Sequence, residues 1–297
     1  MPANFHAARH ATVAAIPLEA LEARRDRSFR RLPALQVRSA RRALGFIEEV
    51  GLASLFAARS LNLPCLWVAV CGRRDPRFPQ HSHHDSEVGL AWELKDQLPA
   101  AGKVFYGKLI RKKPTFVAWD IFPAVYRLFG PEQDYLRAYR DGLLSAAAKA
   151  VLDSLDRDGP QDTFALKLAS NLARPRQRRV FDAAMAELQQ RLYVSMREVR
   201  YDPFTYVWDL VARRYGERVA PARRLGLEAA AVALARRYLQ AVVYASFNDL
   251  AGVLASRQLA TRAVASLQHE GVVRSDCRIE GLGGKWLVAS PTSRHGS

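Results

Sequence analysis

The sequence predicts a mostly helical α+β fold, because helical segments dominate it and short extended pairs follow them. In the last third, apolar residues recur at helical spacing over residues 227–240, a short helix is predicted over 247–254 and a basic helix over 256–270. Two extended runs, 272–280 and 285–289, follow and are joined by a glycine-rich turn. This order is typical of a winged helix, a helix-turn-helix variant whose third helix usually enters the major groove of DNA.

A second copy of the same plan is predicted between residues 145 and 207. Helices are predicted over residues 145–158, 162–171 and 175–191, and an alternating segment from residue 193 onwards can supply the hairpin. Residues 28–118 could hold a third, decorated copy. The chain is therefore predicted to consist of tandem winged-helix (helix-turn-helix) modules.

The length of 297 residues suits two domains or a string of small ones. The predicted parts, in chain order, are a weakly ordered basic arm (1–30), a decorated first winged-helix region (31–144), a second winged helix with its connector (145–226), a C-terminal winged helix (227–290) and a tail (291–297).

The charge balance points to an anionic partner. Lys and Arg number 45 against 29 Asp and Glu, which gives a formal net charge of +16. Nucleic acid is the commonest partner for such a charge. A membrane surface is the competing partner, but no apolar run approaches the roughly 18 residues of a spanning helix. The predicted partner is double-stranded DNA, with no membrane association.

Cysteine usage bears on the compartment. Cys65, Cys71 and Cys277 form no CxxC pair and leave one odd thiol, which fits a reducing compartment rather than a disulfide framework. Residues 1–17 lack the apolar core of a secretory signal. A cytoplasmic location is expected.

Three groups of polar residues are candidate DNA contacts. One lies on the outer side of the predicted third helix of the last copy, where Gln, Thr and Arg suit phosphates and base edges. Another lies at the start of the equivalent helix in the preceding copy, and a third lies beside a predicted strand end. With one lysine of the final strand, the set comprises Arg111, Lys112, Lys113, Arg176, Arg178, Arg179, Arg257, Gln258, Thr261, Arg262 and Lys285. Solvated surface is the alternative for the second and third groups.

Two further groups are ambiguous in location. Arg24, Arg25 and Arg27 belong to a basic cluster that is either a solvated helical arm or an arm that touches the DNA backbone. The tryptophans are predicted to be core residues rather than platforms for stacked bases. They are Trp67, Trp92, Trp119, Trp208 and Trp286.

A histidine-rich loop is the candidate for chemistry. His81, His83, His84, Asp85 and Glu87 lie within seven residues. The alternatives are a polar surface loop, catalytic or DNA-contacting histidines, and a metal site. Adjacent His83 and His84 rarely both reach one ion and no second cluster completes a ligand set, so no metal and no cofactor are predicted. A His–Asp pair can act as a positioned base, which makes His83, His84 and Asp85 the candidate catalytic residues.

Several stretches carry a resemblance to a known family. They are residues 44–52 with the downstream 63–67, residues 103–120 with their Tyr-Gly, basic and Pro-Thr elements, and the repeat that starts at Leu144. With the order of modules, these stretches make residues 30–290 resemble the AlkZ-like winged-helix DNA glycosylases. The resemblance implies a C-shaped DNA clamp that excises alkylated or crosslinked bases, with a positioned water attacking the sugar carbon.

One element of that family is absent. Active members carry a Gln-x-Gln or Gln-x-Asp element that positions the water, and the nearest equivalent here is Ser54-Leu55-Phe56. Leucine and phenylalanine cannot accept a hydrogen bond from water. This departure favours a non-catalytic winged-helix transcription regulator, whereas three modules in one chain favour repair. A metal-dependent hydrolase built on the histidine loop is a third alternative.

The sequence therefore predicts a double-stranded DNA-binding protein, monomeric, that acts as a glycosylase-like protein in the repair of alkylated or crosslinked DNA. Whether it is an enzyme, and hence a hydrolase of N-glycosyl bonds, stays open at this point.

Overall fold

The computed structural model describes residues 14–58, 60–81 and 84–291 of the chain. Within these ranges, three small antiparallel sheets are each accompanied by helices, which confirms the predicted α+β, mostly helical class. Each sheet and the helices that precede or interrupt its strands are called a module below. In the ranges described, no helix is both long and apolar enough to cross a membrane.

The first module begins after Ser39, whose side chain accepts a hydrogen bond from the backbone N–H of Arg42 at 3.3 Å and so caps the first helix. Gly51, with a φ of 78°, ends that helix in a conformation that glycine adopts without strain. The elements are α2 (Ala40–Val50), β1 (Leu52–Ser54), α3 (Leu66–Cys71), α4 (Ser86–Ala100), β2 (Phe105–Lys108) and β3 (Pro114–Val117).

The second module repeats this order with its own caps. The Ser145 hydroxyl accepts from the backbone N–H of Ala148, and Asp162 accepts from two backbone N–H groups at the next helix start. The elements are α7 (Ala146–Asp158), β4 (Gln161–Asp162), α8 (Thr163–Ala169), α9 (Arg178–Gln190), β5 (Val194–Tyr201) and β6 (Phe204–Leu210).

The third module has the same order again. Ser246 and Asp249 form a reciprocal capping box, and Ser256 caps the next helix. The elements are α12 (Leu227–Val242), β7 (Tyr244–Ala245), α13 (Phe247–Leu254), α14 (Arg257–His269), β8 (Val273–Ile279) and β9 (Leu282–Ala289).

Strand order is the same in the three sheets: the short first strand pairs with the last strand, which pairs with the middle one. A helix, a strand, two helices and a hairpin in this order have the topology of a winged helix, consistent with the predicted tandem modules.

The apolar cores show how the modules pack. The first and third modules share one continuous core, whereas the second has a core of its own. The shared core forms because α5 (Phe122–Phe129), which follows the first module, packs against α12 and against α11 (Gly216–Arg224). Two short helices complete the connections, α6 (Tyr135–Arg140) and α10 (Val211–Arg214).

The prediction of a weakly ordered arm over 1–30 is wrong where the structure describes it. Residues 1–13 lie outside the described part, but α1 (Leu18–Ser28) is a helix that packs against α12. Arg25 is only 12 % exposed in its side chain and donates to the backbone carbonyls of Val242 and Tyr244, each at 2.7 Å. Its guanidinium also lies 3.6 Å from the ring centroid of Tyr244. The basic cluster therefore anchors α1 to the third module. The predicted tail lies outside the described residues except for residue 291.

Candidate nucleic-acid site

A cavity of about 580 Å³ opens between the first and second modules. One wall comes from α4, β2 and the segment after β1, and the facing wall comes from α9 and the β5–β6 hairpin. The apolar and aromatic side chains that line it are Leu55, Phe56, Trp92, Tyr106, Pro114, Phe181, Met185, Met196, Tyr206 and Trp208. Its volume is within the usual range for sites that enclose a small molecule.

Aromatic rings form two facing groups in this cavity. On the first module, Phe56 lies 5.4 Å from Trp92 and 5.4 Å from Phe78 between ring centroids, both edge to face. On the second module, residues at alternate positions of β6 share one face of the strand, with Tyr206 at 5.9 Å from Trp208. The Trp208 Nε1 donates to Thr163 Oγ1 at 3.1 Å, which fixes its ring. On both modules, the aromatic rings that line the cavity are therefore fixed by packing against neighbouring rings.

The prediction that all five tryptophans are core residues is wrong for Trp92. Its side chain belongs to the exposed large apolar residues, with 46 % of its surface accessible, although it lines the cavity. Phe78 next to it, at 52 %, is also exposed. Exposed aromatic rings beside a cavity are suitable stacking surfaces for a planar ligand.

A buried lysine lines the same cavity and is paired with Asp96 behind it. Lys95 is 5 % exposed and Asp96 is 9 % exposed in their side chains, and Lys95 Nζ lies 2.5 Å from Asp96 Oδ1. The Lys95 ammonium also donates to the hydroxyl of Tyr206, across the boundary between the modules. It lies 4.8 Å from the ring centroids of Trp92 and Tyr206. Burial raises the pKa of Tyr206, and Asp96 adds to this effect, so the hydroxyl stays protonated at neutral pH.

Gln189 adds a neutral polar group to the cavity. The residue is 7 % exposed and lines the cavity from the last turn of α9. Its side-chain amide makes no hydrogen bond with any residue in the described part of the chain, and its polar atoms are not fully enclosed, so the amide is accessible from the cavity. An amide offers both donors and an acceptor, so Gln189 can bind a polar edge of a ligand in the cavity.

Basic side chains surround the cavity on both modules. Lys108 lines it and is exposed, and Lys112 and Lys113 are exposed in the neighbouring turn, which packs against α9. At the other side, α9 begins beside Arg176, Arg178 and Arg179, which are exposed. The structure thus places two of the three predicted basic groups, the one with Lys112 and Lys113 and the one with Arg178 and Arg179, beside α9.

Arg111 differs from the other candidates of its group. Its Nη1 donates to the backbone carbonyl of Ser60 at 2.7 Å, and its guanidinium lies against Gly252 of the third module. These two contacts give Arg111 a role in joining the first and third modules, and its role as a DNA contact stays a prediction.

The predicted contacts of the third module lie on the outer face of α14. Gln258, Thr261 and Arg262 are exposed there, and α14 packs against α12, α13 and β8. Arg262 is paired with Glu228, and Arg257 donates to Asn248 Oδ1 at 2.7 Å. Lys285 lies on β9, 2.9 Å from Asp276. Exposed pairs of this kind contribute little energy, so these side chains can exchange their partners for phosphates.

The histidine loop begins at the edge of the cavity, because Phe78 just before it packs against Phe56. His84 is exposed, and His83 lies outside the described residues. The Asp85 carboxylate accepts from the backbone N–H of Val88 at 2.8 Å and caps α4, so helix capping occupies one oxygen of the predicted base. Arg73, at 2.7 Å, lowers the pKa of Glu87. In the described ranges, no three His, Cys, Asp or Glu side chains gather as a metal site.

The segment that replaces the water-positioning element has no free polar side chain. Ser54 is 2 % exposed and its hydroxyl donates to the backbone carbonyl of Pro64 at 3.3 Å. Leu55, 1 % exposed, and Phe56 line the cavity with apolar surface. Any water held in the cavity must therefore be held by other groups.

Sequence reasoning missed Lys95, Gln189 and Tyr206, because three distant segments bring them together. One signal was available: Phe204, Tyr206 and Trp208 alternate along a predicted strand, which places three aromatic rings on one face.

Comparisons with known proteins agree with this architecture. The model of a family described as AlkZ related matches residues 37–247. Among solved structures, the chain is similar to the DNA glycosylase AlkZ of Streptomyces sahachiroi, with a TM-score of 0.57 and 14 % sequence identity. That match covers 93 % of this chain and 71 % of the other, and at this identity it shows the fold alone. No curated protein matches the sequence.

Proposed function

Since the chain belongs to the AlkZ-related family, we propose that it is a DNA-repair protein that binds double-stranded DNA and takes one base out of the duplex into its cavity, for excision. The observation that carries this proposal is the cavity itself, in which aromatic walls surround an amide without a partner. An enzyme that acts on a base inside a duplex must first move that base out of the stack.

The walls suit a flat ring. Stacking of a base on an aromatic side chain contributes about 1–3 kcal/mol, against a cost of a few kcal/mol for unstacking and unpairing the base. Rings on both modules, Trp92 on one side and Tyr206 on the other, offer two such surfaces. A base alkylated on a ring nitrogen carries positive charge, and aromatic faces attract cations. The ring faces therefore favour an alkylated base over an unmodified one, provided that Asp96 balances the charge of the Lys95 ammonium beside them.

The amide of Gln189 can read the edge of the base. The residue is 7 % exposed, so a ligand that displaces the water of the cavity without offering a matching donor or acceptor would leave the amide unpaired. Such a mismatch costs about 1–3 kcal/mol. This gives the cavity a means of discriminating between bases in addition to stacking.

The charge distribution suits the phosphate backbone. The net charge is +16, and exposed cations lie on both sides of the cavity, with Lys112 and Lys113 on one module and the arginines around Arg178 on the other. Phosphate contacts of this kind hold the duplex in register without reading its sequence. Binding is expected to be largely independent of sequence and to weaken as salt rises.

An excision assay tests the proposal. Purified protein is incubated with a duplex that carries one N7-methylguanine, and abasic sites are revealed by strand cleavage with mild alkali. We expect cleavage at the lesion, none in the matched undamaged duplex, and a strong reduction in the Trp92→Ala variant. Tight binding to both duplexes without cleavage or lesion preference would overturn the excision part.

Binding to both duplexes without cleavage or lesion preference is the result that the second candidate function predicts. A non-catalytic winged-helix regulator is supported by one observation, the apolar Ser54-Leu55-Phe56 segment, which cannot orient water. Such a protein would bind one DNA sequence more tightly than others, whereas a repair protein would prefer the lesion. The histidine loop, with His83 and His84, stays a candidate for contacts at the cavity edge. Monomeric state and cytoplasmic location also stay predictions.

A further inference from the structure

We propose that Lys95 is an amine nucleophile that displaces the everted base and forms a Schiff base with C1′ of the sugar. This inference rests on the proposed function, because a nucleotide must enter the cavity before Lys95 can reach it. It adds a covalent route to excision in a chain whose Ser54-Leu55-Phe56 segment cannot position water.

The location of Lys95 is unusual for lysine. Its side chain is 5 % exposed and lines the cavity between the modules. Lysine is almost never buried to this extent unless it is paired, and this paired lysine also lines a cavity of ligand size. Buried lysines in largely apolar sites are also the ones that serve as bases and Schiff-base formers.

The partners of Lys95 supply a proton acceptor and an orientation. Asp96 Oδ1 lies 2.5 Å from Nζ in an ion pair and makes no hydrogen bond within the described residues, so this oxygen is free to take a proton from the ammonium. The Tyr206 hydroxyl, which accepts a hydrogen bond from Nζ, holds the nitrogen at the second module. Tyr206 is thus a positioning residue, because it acts on the nitrogen and not on the sugar.

Asp96 also provides an exit for the proton. It lines a second cavity of about 350 Å³, bounded by β5 residues such as Arg197 and Tyr201. Lys95 and Asp96 are consecutive on α4 and their charged ends meet, so the ion pair lies between the ligand cavity and the outer one. A proton transferred to Asp96 therefore moves to the side of the outer cavity.

The chemical step balances as follows. Asp96 takes one proton from the Lys95 ammonium, and the free amine attacks C1′ while the bond from C1′ to the base nitrogen breaks. The electron pair of that bond leaves with the alkylated base, which departs as a neutral molecule. The nitrogen on C1′ then gives a proton to O4′ as the bond from C1′ to O4′ breaks, which leaves a protonated Schiff base. Water adds at C1′ and releases the lysine and an abasic site.

Borohydride trapping tests the inference. The full chain is mixed with a duplex that carries one abasic site, whose open sugar is an aldehyde, and sodium borohydride reduces any Schiff base to a stable crosslink. We expect a protein–DNA adduct, and peptide mapping should place it on Lys95. Mapping uses the unmodified protein, so this result does not depend on whether a variant folds.

Two matched variants sharpen the test. Lys95→Arg keeps a positive charge beside Asp96 and Tyr206 but lacks the nucleophilic amine, so the adduct should fall at least tenfold while duplex binding stays within about twofold. Lys103→Arg alters an exposed lysine that does not line the cavity, and it should leave the adduct unchanged. An adduct that maps to Lys108, or one that survives in Lys95→Arg, would overturn the inference.

Base entry is scored separately, by photo-crosslinking of a 5-iodouracil base to the rings of the cavity. Base entry without a trapped adduct rejects the role of Lys95 and leaves the proposed function standing. Absence of base entry rejects both.

Discussion

The guanidinium of Arg111 lies where the Cβ of any other residue at position 252 would be, and the residue there is Gly252. A Cβ on Gly252 would lie 2.6 Å from Nη2 of Arg111, well inside van der Waals contact. Gly252 belongs to α13 of the third module, and Arg111 belongs to the turn before β3 of the first. The bond to the Ser60 carbonyl holds the Arg111 side chain on the first module, and its contact with Gly252 joins that module to the third. The contact requires a glycine at residue 252.

This contact predicts an unusual result for Gly252→Ala. Alanine normally stabilises a helix interior by about 0.5–1 kcal/mol relative to glycine. Here the new methyl group must shift the exposed guanidinium of Arg111 away from Ser60, so we expect the usual gain in the free energy of unfolding to be cancelled. In the Arg111→Ala background the same substitution should stabilise the protein. Urea denaturation of the four proteins measures the coupling, and additive effects would contradict it.

Arg25 is predicted to matter for stability and not for DNA binding. Its guanidinium donates to the Val242 and Tyr244 carbonyls and to Asn62 Oδ1 from a nearly buried position. Arg25→Ala leaves these acceptors unpaired, so we expect a loss of about 2–4 kcal/mol in the free energy of unfolding. Arg25→Lys should recover only part of it, since an ammonium lacks the planar fork. Thermal denaturation measures the loss, and DNA affinity well below the melting temperature should change less than about twofold.

The arginines at the start of α9 are predicted to affect DNA binding and not stability. Arg176, Arg178 and Arg179 are exposed, and the side chain of Arg178 is 80 % accessible. Replacing the three by alanine should lower duplex affinity at least about tenfold at low salt and reduce the slope of log K against log salt by roughly 2–3. Fluorescence anisotropy over a salt series measures both quantities. The melting temperature should hardly change.

The control for that experiment is an arginine pair on the same module. Arg137 and Arg140 are exposed on α6, away from the cavity lining. Their double alanine variant removes two charges but should change the salt slope by much less than two. Equal losses in the two variants would mean that net charge, and not the location beside α9, determines affinity.

The ion pair between Asp26 and Arg74 predicts a dependence of stability on pH. Arg74 donates to both carboxylate oxygens and thereby lowers the pKa of Asp26. A carboxyl group whose pKa is lower in the folded state contributes stability above its unfolded pKa of about 3.9, and the contribution is lost as the pH falls below it. Asp26→Asn should therefore cost more at pH 7 than at about pH 3. Melting temperatures across that range test this, and a constant difference would refute it.

Local structure followed from the sequence, whereas the site did not. Caps such as Ser145 and Ser256, and the glycine turn before β9, act within a few residues, so their effects are visible in the sequence. Arg25 was interpreted as part of a weakly ordered arm because its neighbours are basic, but its backbone acceptors, Val242 and Tyr244, are more than 200 residues away along the chain. Lys95 and Gln189 line a cavity at the boundary between two modules. The local periodicity of the sequence does not predict how modules pack across such a boundary.

The central claim is that a base from the duplex enters the cavity between the first and second modules, and photo-crosslinking tests it most directly. A duplex carrying one 5-iodouracil in a mismatch, which lowers the cost of unpairing, is bound by the protein and irradiated. The iodinated base crosslinks to aromatic side chains on which it stacks. We predict that peptide mapping will place the crosslink on Trp92 or Tyr206, and that Gln189→Leu will weaken it without loss of duplex binding. Crosslinks confined to exposed rings outside the cavity, such as Phe164, would contradict the claim.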